Sequence, residues 1–163
     1  MTDPKIESSN PTNKFIVRKT TSRRTITETD IVTFVNVVGL HEPPFIDMEY
    51  IKSSMPKSHQ KRFAPAPFLI SVGMGLVAPH IMGVIEEISA KEKLGLFMGM
   101  VGVEAKVKAP AYPGDTLQVE LEASVNRQTS KGMTLVDFRH ILKKQNGDIV
   151  TDFVEMVMFG VSI

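Results

Sequence analysis

Leu117, Val119, Leu121, Ala123 and Val125 alternate with Gln118, Glu120, Glu122 and Ser124. A period of two sends the two sets to opposite sides of an extended chain, so this stretch is a strand with one face to bury. A second layer must therefore pack against that face. Residues 133–142 and 149–161 are further strand-like runs, joined across Gln145-Asn146-Gly147-Asp148, where the Asn-Gly step favours the positive φ values of a hairpin turn. Residues 94–107 form a glycine-interrupted apolar run. Between it and the alternating strand, residues 109–116 carry two prolines and a Gly-Asp pair, predicting a turn that ends one strand and aims the next. The expected result is an antiparallel meander.

The first half of the chain follows another period. Residues 1–13 are rich in Ser, Pro, Asn and Thr and predict a loose tail, followed by one domain over residues 14–163. Residues 14–25 predict a short strand or an extended arm. Thr27 is placed to N-cap a helix, with Asp30 three residues on as the acidic partner of a capping box. Ile31, Phe34, Val35 and Val38 then form one apolar stripe, and Gly39 stands where a left-handed cap would stop the helix. Pro43 and Pro44 fix φ and remove N–H donors, which predicts a stiff non-helical loop through Ile46. Asp47 is placed to cap a brief helix ending near Pro56. Residues 68–77 are apolar or small throughout and fit a buried strand or a buried helix. Pro67 suits a first helical turn, which favours a central helix, buried all round. Helices first and strands afterwards predict an α+β domain with a curved antiparallel sheet wrapped around that helix.

Composition narrows the function. A formal charge of +1, from 19 basic and 18 acidic residues, leaves no electrostatic footprint for nucleic acid or an anionic membrane. The absence of cysteine excludes disulfides, thiolate nucleophiles and cysteine zinc sites, and the four histidines have no HExxH-like spacing. No metal or other cofactor is expected. The N-terminus lacks the apolar core of a signal peptide, and no stretch reaches the roughly 20 apolar residues of a membrane span, so a cytoplasmic protein is expected.

Three stretches carry a family resemblance: Thr25-Ile26-Thr27-Glu28-Thr29-Asp30-Ile31 with Gly39 and Asp47; Phe68-Leu69-Ile70-Ser71; and Pro110 with Tyr112-Pro113-Gly114-Asp115-Thr116-Leu117. In order and spacing they resemble the MaoC-like dehydratases, a hotdog-fold family that includes (R)-specific enoyl-CoA hydratases. The resemblance implies a hotdog sheet around a central helix and dimers joined edge to edge. It also implies a CoA or acyl-carrier thioester at the dimer interface, with reversible hydration of a 2-enoyl thioester as the reaction. The family performs it with an Asp and a His in a Gly-Asp-x-Asn-Pro-x-His-x-Asp pattern. Anchored on Gly39, Pro43 and Asp47, that pattern puts Leu40 in the Asp position, Glu42 in the Asn position and Phe45 in the His position. Both catalysts are replaced. Ala66-Pro67 stands where the family has His-Gly, and proline has no N–H to polarise a thioester carbonyl.

General acid–base groups are typically worth about 10²–10⁴ in rate and one oxyanion donor about 10²–10³, so the usual mechanism would be largely lost. His41 and Glu42 are the candidates for a rebuilt acid or base beside the loop. Phe45, Asp47, Pro67 and Phe68 occupy expected substrate-binding positions, and Lys61 and Arg62, near Lys57, are candidates for the phosphates of CoA. Asp47 reads first as a helix cap, Gly114-Asp115 as a turn without chemistry, His140 as an ordinary sheet residue, and Met74, Met98, Met100, Met133, Met156 and Met158 mostly as core filler, with a few available as an acyl wall. Two function classes follow. One is an enzyme of the hydratase group, or a hotdog thioesterase using Glu42. The other is a non-catalytic hotdog subunit or acyl-thioester sensor, in a homodimer or paired with a homologous chain.

Overall fold

The computed structural model describes residues 15–161; the tail expected over residues 1–13 lies outside them. The six strands are β1 (Val17–Thr20), β2 (Arg24–Thr25), β3 (Phe97–Val107), β4 (Thr116–Gln128), β5 (Thr134–Lys144) and β6 (Ile149–Phe159). They form one antiparallel sheet in the order β1-β4-β5-β6-β3, with β2 also paired to β4. The helices are α1 (Glu28–Val38), α2 (Pro43–Ile46), α3 (Met48–Ser54), α4 (Ala66–Val77) and α5 (Ile81–Glu92).

Local chemistry sets α1. Thr27 Oγ1 accepts from the Asp30 N–H at 3.1 Å, and Asp30 Oδ2 accepts from the Thr27 N–H at 2.8 Å. The Thr27 N–H and hydroxyl, both donating to Asp30 Oδ2 at 2.8 Å, joined by Arg24 at 2.7 Å, hold the Asp30 carboxyl below its usual range. Gly39 closes the helix at φ 69°, where a side chain would be strained.

The alternation of β4 places Leu117, Val119, Leu121 and Ala123 in the core. The hairpin forms at Asn146-Gly147, with Gly147 at φ 89° and the Lys144 N–H donating to the Asp148 carbonyl at 2.9 Å.

Several expectations are corrected. Residues 43–46 are not a loop but one helical turn. Its prolines occupy the first positions, where an N–H has no intrahelical partner and φ is already suitable. The central helix begins at Ala66 and is not buried all round: Phe68, Leu69, Val72, Gly73 and Val77 are buried, whereas Pro67, Ser71 and Gly75 are exposed, because sheet and neighbouring helices cover one side only. A second helix, α5, follows at 71° to α4 and buries Val84, Ile85 and Ile88. Strands β4, β5 and β6 do form a meander, but β3 pairs with β6 at the far edge. Residues 108–115 are consequently a crossover along the end of the sheet. At its β3 end Lys108 donates to the Val150 carbonyl at 2.8 Å, and at the other end Gly114 donates to the Ile26 carbonyl at 2.8 Å. Met98 and Met100 are not core filler: on the edge strand β3 they are 58% and 53% exposed, next to exposed Phe97 and Val101. Among the described residues no single helix is long and apolar enough to cross a membrane.

Candidate functional site

The loop after α1 is held by its neighbours. Asp47 Oδ1 accepts from the N–H groups of Glu49 and Tyr50 at 2.9 and 3.0 Å and so caps α3, the structural use expected for it. The Arg62 guanidinium donates to Glu28 and to the Phe45 carbonyl, tying α2 to the start of α1. With its side chain only 12% exposed, Arg62 is engaged within the fold. Phe45 packs edge-on against Phe63, ring centroids 5.4 Å apart.

Behind Phe45 lies a cavity of about 600 Å³. Phe45, Met55 and Pro56 form one wall, residues 63–66 and Leu69 of α4 a second, and Val107 with the crossover residues 108–110 and Tyr112 a third. Most of these side chains are apolar, as suits a hydrocarbon ligand. The crossover is fixed to the second wall by the Ala64 N–H, which donates to the Ala111 carbonyl at 2.8 Å. The non-local β3–β6 pairing thus brings two distant segments together as opposite sides of one chamber.

Of the residues singled out by sequence, Phe45 lines this chamber. His41 and Glu42 are exposed and absent from its walls, as is exposed Lys61. Pro67 is exposed beside the lining residue Ala66, and Phe68 packs on Phe34 with ring centroids 5.5 Å apart. Leu40 is half-buried and packs against the core.

Sequence reasoning missed His59 and Tyr112, which both line the chamber, their rings 6.4 Å apart. The His59 Nδ1 lies 2.7 Å from Ser58 Oγ. Among the described residues the Tyr112 hydroxyl is buried without a partner, and burial, reinforced by the Asp115 charge, raises its pKa. Asp115 accepts from the Tyr112 N–H at 2.9 Å and meets Lys144 Nζ at 3.0 Å. Burial opposes ionisation of Asp115, but these contacts outweigh it and lower its pKa. The Gly114-Asp115 turn therefore positions Tyr112. The available signals were an aromatic residue inside the crossover motif and a histidine inside the basic run. Among the described residues no group of three or more His, Cys, Asp or Glu side chains could hold a metal ion.

Solved structures share this fold. The MaoC-like dehydratase from Rhodospirillum rubrum is 20% identical, with 88% of this chain and 90% of that one covered at a TM-score of 0.62. The R-hydratase PhaJ1 from Pseudomonas aeruginosa is 18% identical over 91% and 81% of the two chains, with a TM-score of 0.54. The HadBC (3R-hydroxyacyl-ACP dehydratase) complex from Mycobacterium tuberculosis is 16% identical over 91% and 98%, with a TM-score of 0.58. No curated protein sequence matches this one. A family model described as FAS1-like, dehydratase domain region, matches residues 14–153, and on that span the chain belongs to this family of hotdog dehydratases and hydratases.

Proposed function

We propose that the chain binds acyl thioesters, of CoA or an acyl carrier, in the chamber behind Phe45 and leaves the hydration chemistry to a homologous hotdog partner. The observation that carries this reading is what stands at the expected catalytic positions beside a mostly apolar chamber. At the positions where the family resemblance implies acid, base and oxyanion donor, the chain offers Leu40, Phe45 and Ala66-Pro67. His41 and Glu42 stand outside the chamber walls. The mostly apolar walls suit an acyl chain, and none of these replaced positions supplies a proton donor or acceptor. A catalytic partner needs a docking edge, and β3 offers a long strand with exposed Phe97, Met98, Met100 and Val101. An open apolar edge of this kind is a template for strand pairing, and a second hotdog chain is the occupant that continues the sheet.

A second reading, a hydratase with a relocated base, rests on His59, which lines the chamber; in the tautomer whose Nδ1–H donates to Ser58 Oγ, its Nε2 is the proton acceptor. One experiment separates the two. The purified protein is titrated with butyryl-CoA and decanoyl-CoA by calorimetry and assayed on the matching 2-enoyl-CoA substrates, with His59→Ala and His41→Ala alongside. Binding without turnover is expected. Turnover lost in His59→Ala would establish the second reading, and absence of binding to either thioester would sink both.

A further inference from the structure

Three of the residues that line the chamber carry polar side chains: His59, Lys108 and Tyr112. His59 and Lys108 are exposed and can bond to water. Tyr112 is different. Its hydroxyl has almost no contact with solvent and, among the described residues, no hydrogen-bond partner. Orphaned buried atoms of this kind occur on Tyr112, His140 and Thr151, and of these only Tyr112 belongs to the chamber wall. Buried polar groups are almost always satisfied, so an orphan on the wall of a cavity calls for a partner from within it.

The fold fixes where this residue stands. The Tyr112 N–H donates to Asp115 Oδ2 at 2.9 Å, and its carbonyl accepts from the Asp115 N–H at 3.0 Å. Lys144 Nζ lies 5.6 Å from the centroid of the ring and is itself anchored on Asp115 at 3.0 Å. A side chain held in this way is preorganised, and a ligand pays little entropy to use it. The hydroxyl adds no bond to any of these contacts, so packing alone would be served as well by phenylalanine. Burial and the Asp115 charge keep the phenol protonated near pH 7, and it therefore has a proton to donate.

The position of the donor says what it meets. One residue before Tyr112, the Ala111 carbonyl accepts from the Ala64 N–H at 2.8 Å, which fastens the crossover to the segment that leads into α4. At the start of α4 stands Ala66-Pro67, where the family resemblance implies an N–H directed at a thioester carbonyl and proline has none to give. Ala66 and Tyr112 line the same chamber. A hydrocarbon tail offers no acceptor, whereas the thioester at its head offers a carbonyl oxygen. Resting on the acyl-thioester reading, we propose that Tyr112 binds the thioester carbonyl of the ligand, its hydroxyl donating to the carbonyl oxygen in place of the backbone N–H that Pro67 lacks. The bond fixes the head of the acyl group and so sets how far its tail enters between the apolar walls.

Calorimetric titration of the 163-residue chain with decanoyl-CoA and with S-decyl-CoA, a thioether that has no carbonyl, tests the assignment in the native protein and in Tyr112→Phe. Comparing the two ligands across the two proteins isolates the contact, because the difference in ligand hydrophobicity cancels. A hydrogen bond between neutral groups is typically worth about threefold to tenfold in affinity, and the preference for decanoyl-CoA should fall by that factor in Tyr112→Phe. The affinity for S-decyl-CoA should stay within about twofold, and the urea midpoint should not fall, since the hydroxyl has no partner in the fold. An unchanged preference would overturn the assignment and leave acyl-thioester binding intact, the hydroxyl then being closed off from the chamber. A lower urea midpoint with equal loss of affinity for both ligands would show a structural role and overturn it as well. Absence of binding to both ligands would remove the acyl-thioester reading and this assignment together.

Discussion

The two faces of the sheet handle polarity in opposite ways. On the outer face Arg139 forms a two-pronged pair with Asp152 at 3.0 and 2.7 Å, and Arg18 meets Glu122 at 2.9 Å. All four of these side chains keep some contact with solvent. On the inner face His140 and Thr151 are sealed and, among the described residues, without hydrogen-bond partners. Outer-face charges can satisfy themselves with water if their partners are lost, so their pairing says little about function. The inner groups have no such alternative, and their retention in a close-packed layer is informative. This contrast predicts that perturbations of the inner face are large and those of the outer face small.

Phe153 tests the inner face most severely. Its ring bridges His140 and α4, and Phe153→Ala should lower stability by about 3–5 kcal/mol, read as a drop in the urea midpoint with an unchanged slope. Approaching from the helix side, Gly73→Ala forces a Cβ to 2.8 Å from Phe153 Cε1 and 3.0 Å from Cζ. An overpacked core of this kind costs about 1–3 kcal/mol, of which the better helix propensity of alanine returns up to about 1 kcal/mol. If Gly73→Ala is neutral, the inner layer is looser than its geometry implies.

Between these effects and the outer face stands the titration of His140. The unfolded chain takes up the imidazole proton near 6.5 and the folded chain near 4. Stability is thus full above about pH 6.5 and falls as the pH drops, because the unfolded state binds the proton first. For this shift the loss between pH 7.5 and pH 5 is about 2 kcal/mol. Glu155 acts in the opposite sense: burial raises its carboxyl pKa, so the folded state takes that proton early and offsets part of the loss. Urea midpoints at the two pH values should show a smaller acid loss in His140→Leu than in the native protein. Equal losses would mean that the imidazole is already solvated in the folded state.

These contrasts also mark what the sequence makes legible. The capping box at Thr27 and Asp30, the Gly39 stop and the Asn146-Gly147 hairpin are decided by neighbours within a few residues, and all are where local chemistry predicts. The inner position of His140 follows from the alternation Val136, Phe138, His140, Leu142, since all four are buried. Its isolation does not follow, because only the register with β6 shows that Phe153 lies opposite and Glu155 just out of bonding range. The pairing of β3 with β6 in preference to β4 is similarly non-local, and the chamber depends on it. Family spacing led to Phe45. It did not lead to His59 or Tyr112, which become neighbours only when the crossover folds back over the turn after α3. Helix α5 was readable from Ile81, Val84, Ile85 and Ile88, a stripe at i, i+3, i+4 and i+7.

The smallest effect is expected at Arg139. The pair with Asp152 raises the guanidinium pKa and lowers that of the carboxyl, so both partners report attraction. Yet the arginine side chain is 46% exposed, and water and salt screen much of that attraction. Arg139→Ala should cost less than about 1 kcal/mol, and the difference from the native protein should shrink near 1 M salt, where the screening length is about 3 Å. Differential scanning calorimetry at low and high salt measures both quantities. A loss as large as that of Phe153→Ala, insensitive to salt, would mean that the outer face is covered in solution. The contrast between the faces would then lie between two buried surfaces, and the charged outer strip would become the place to look for another subunit.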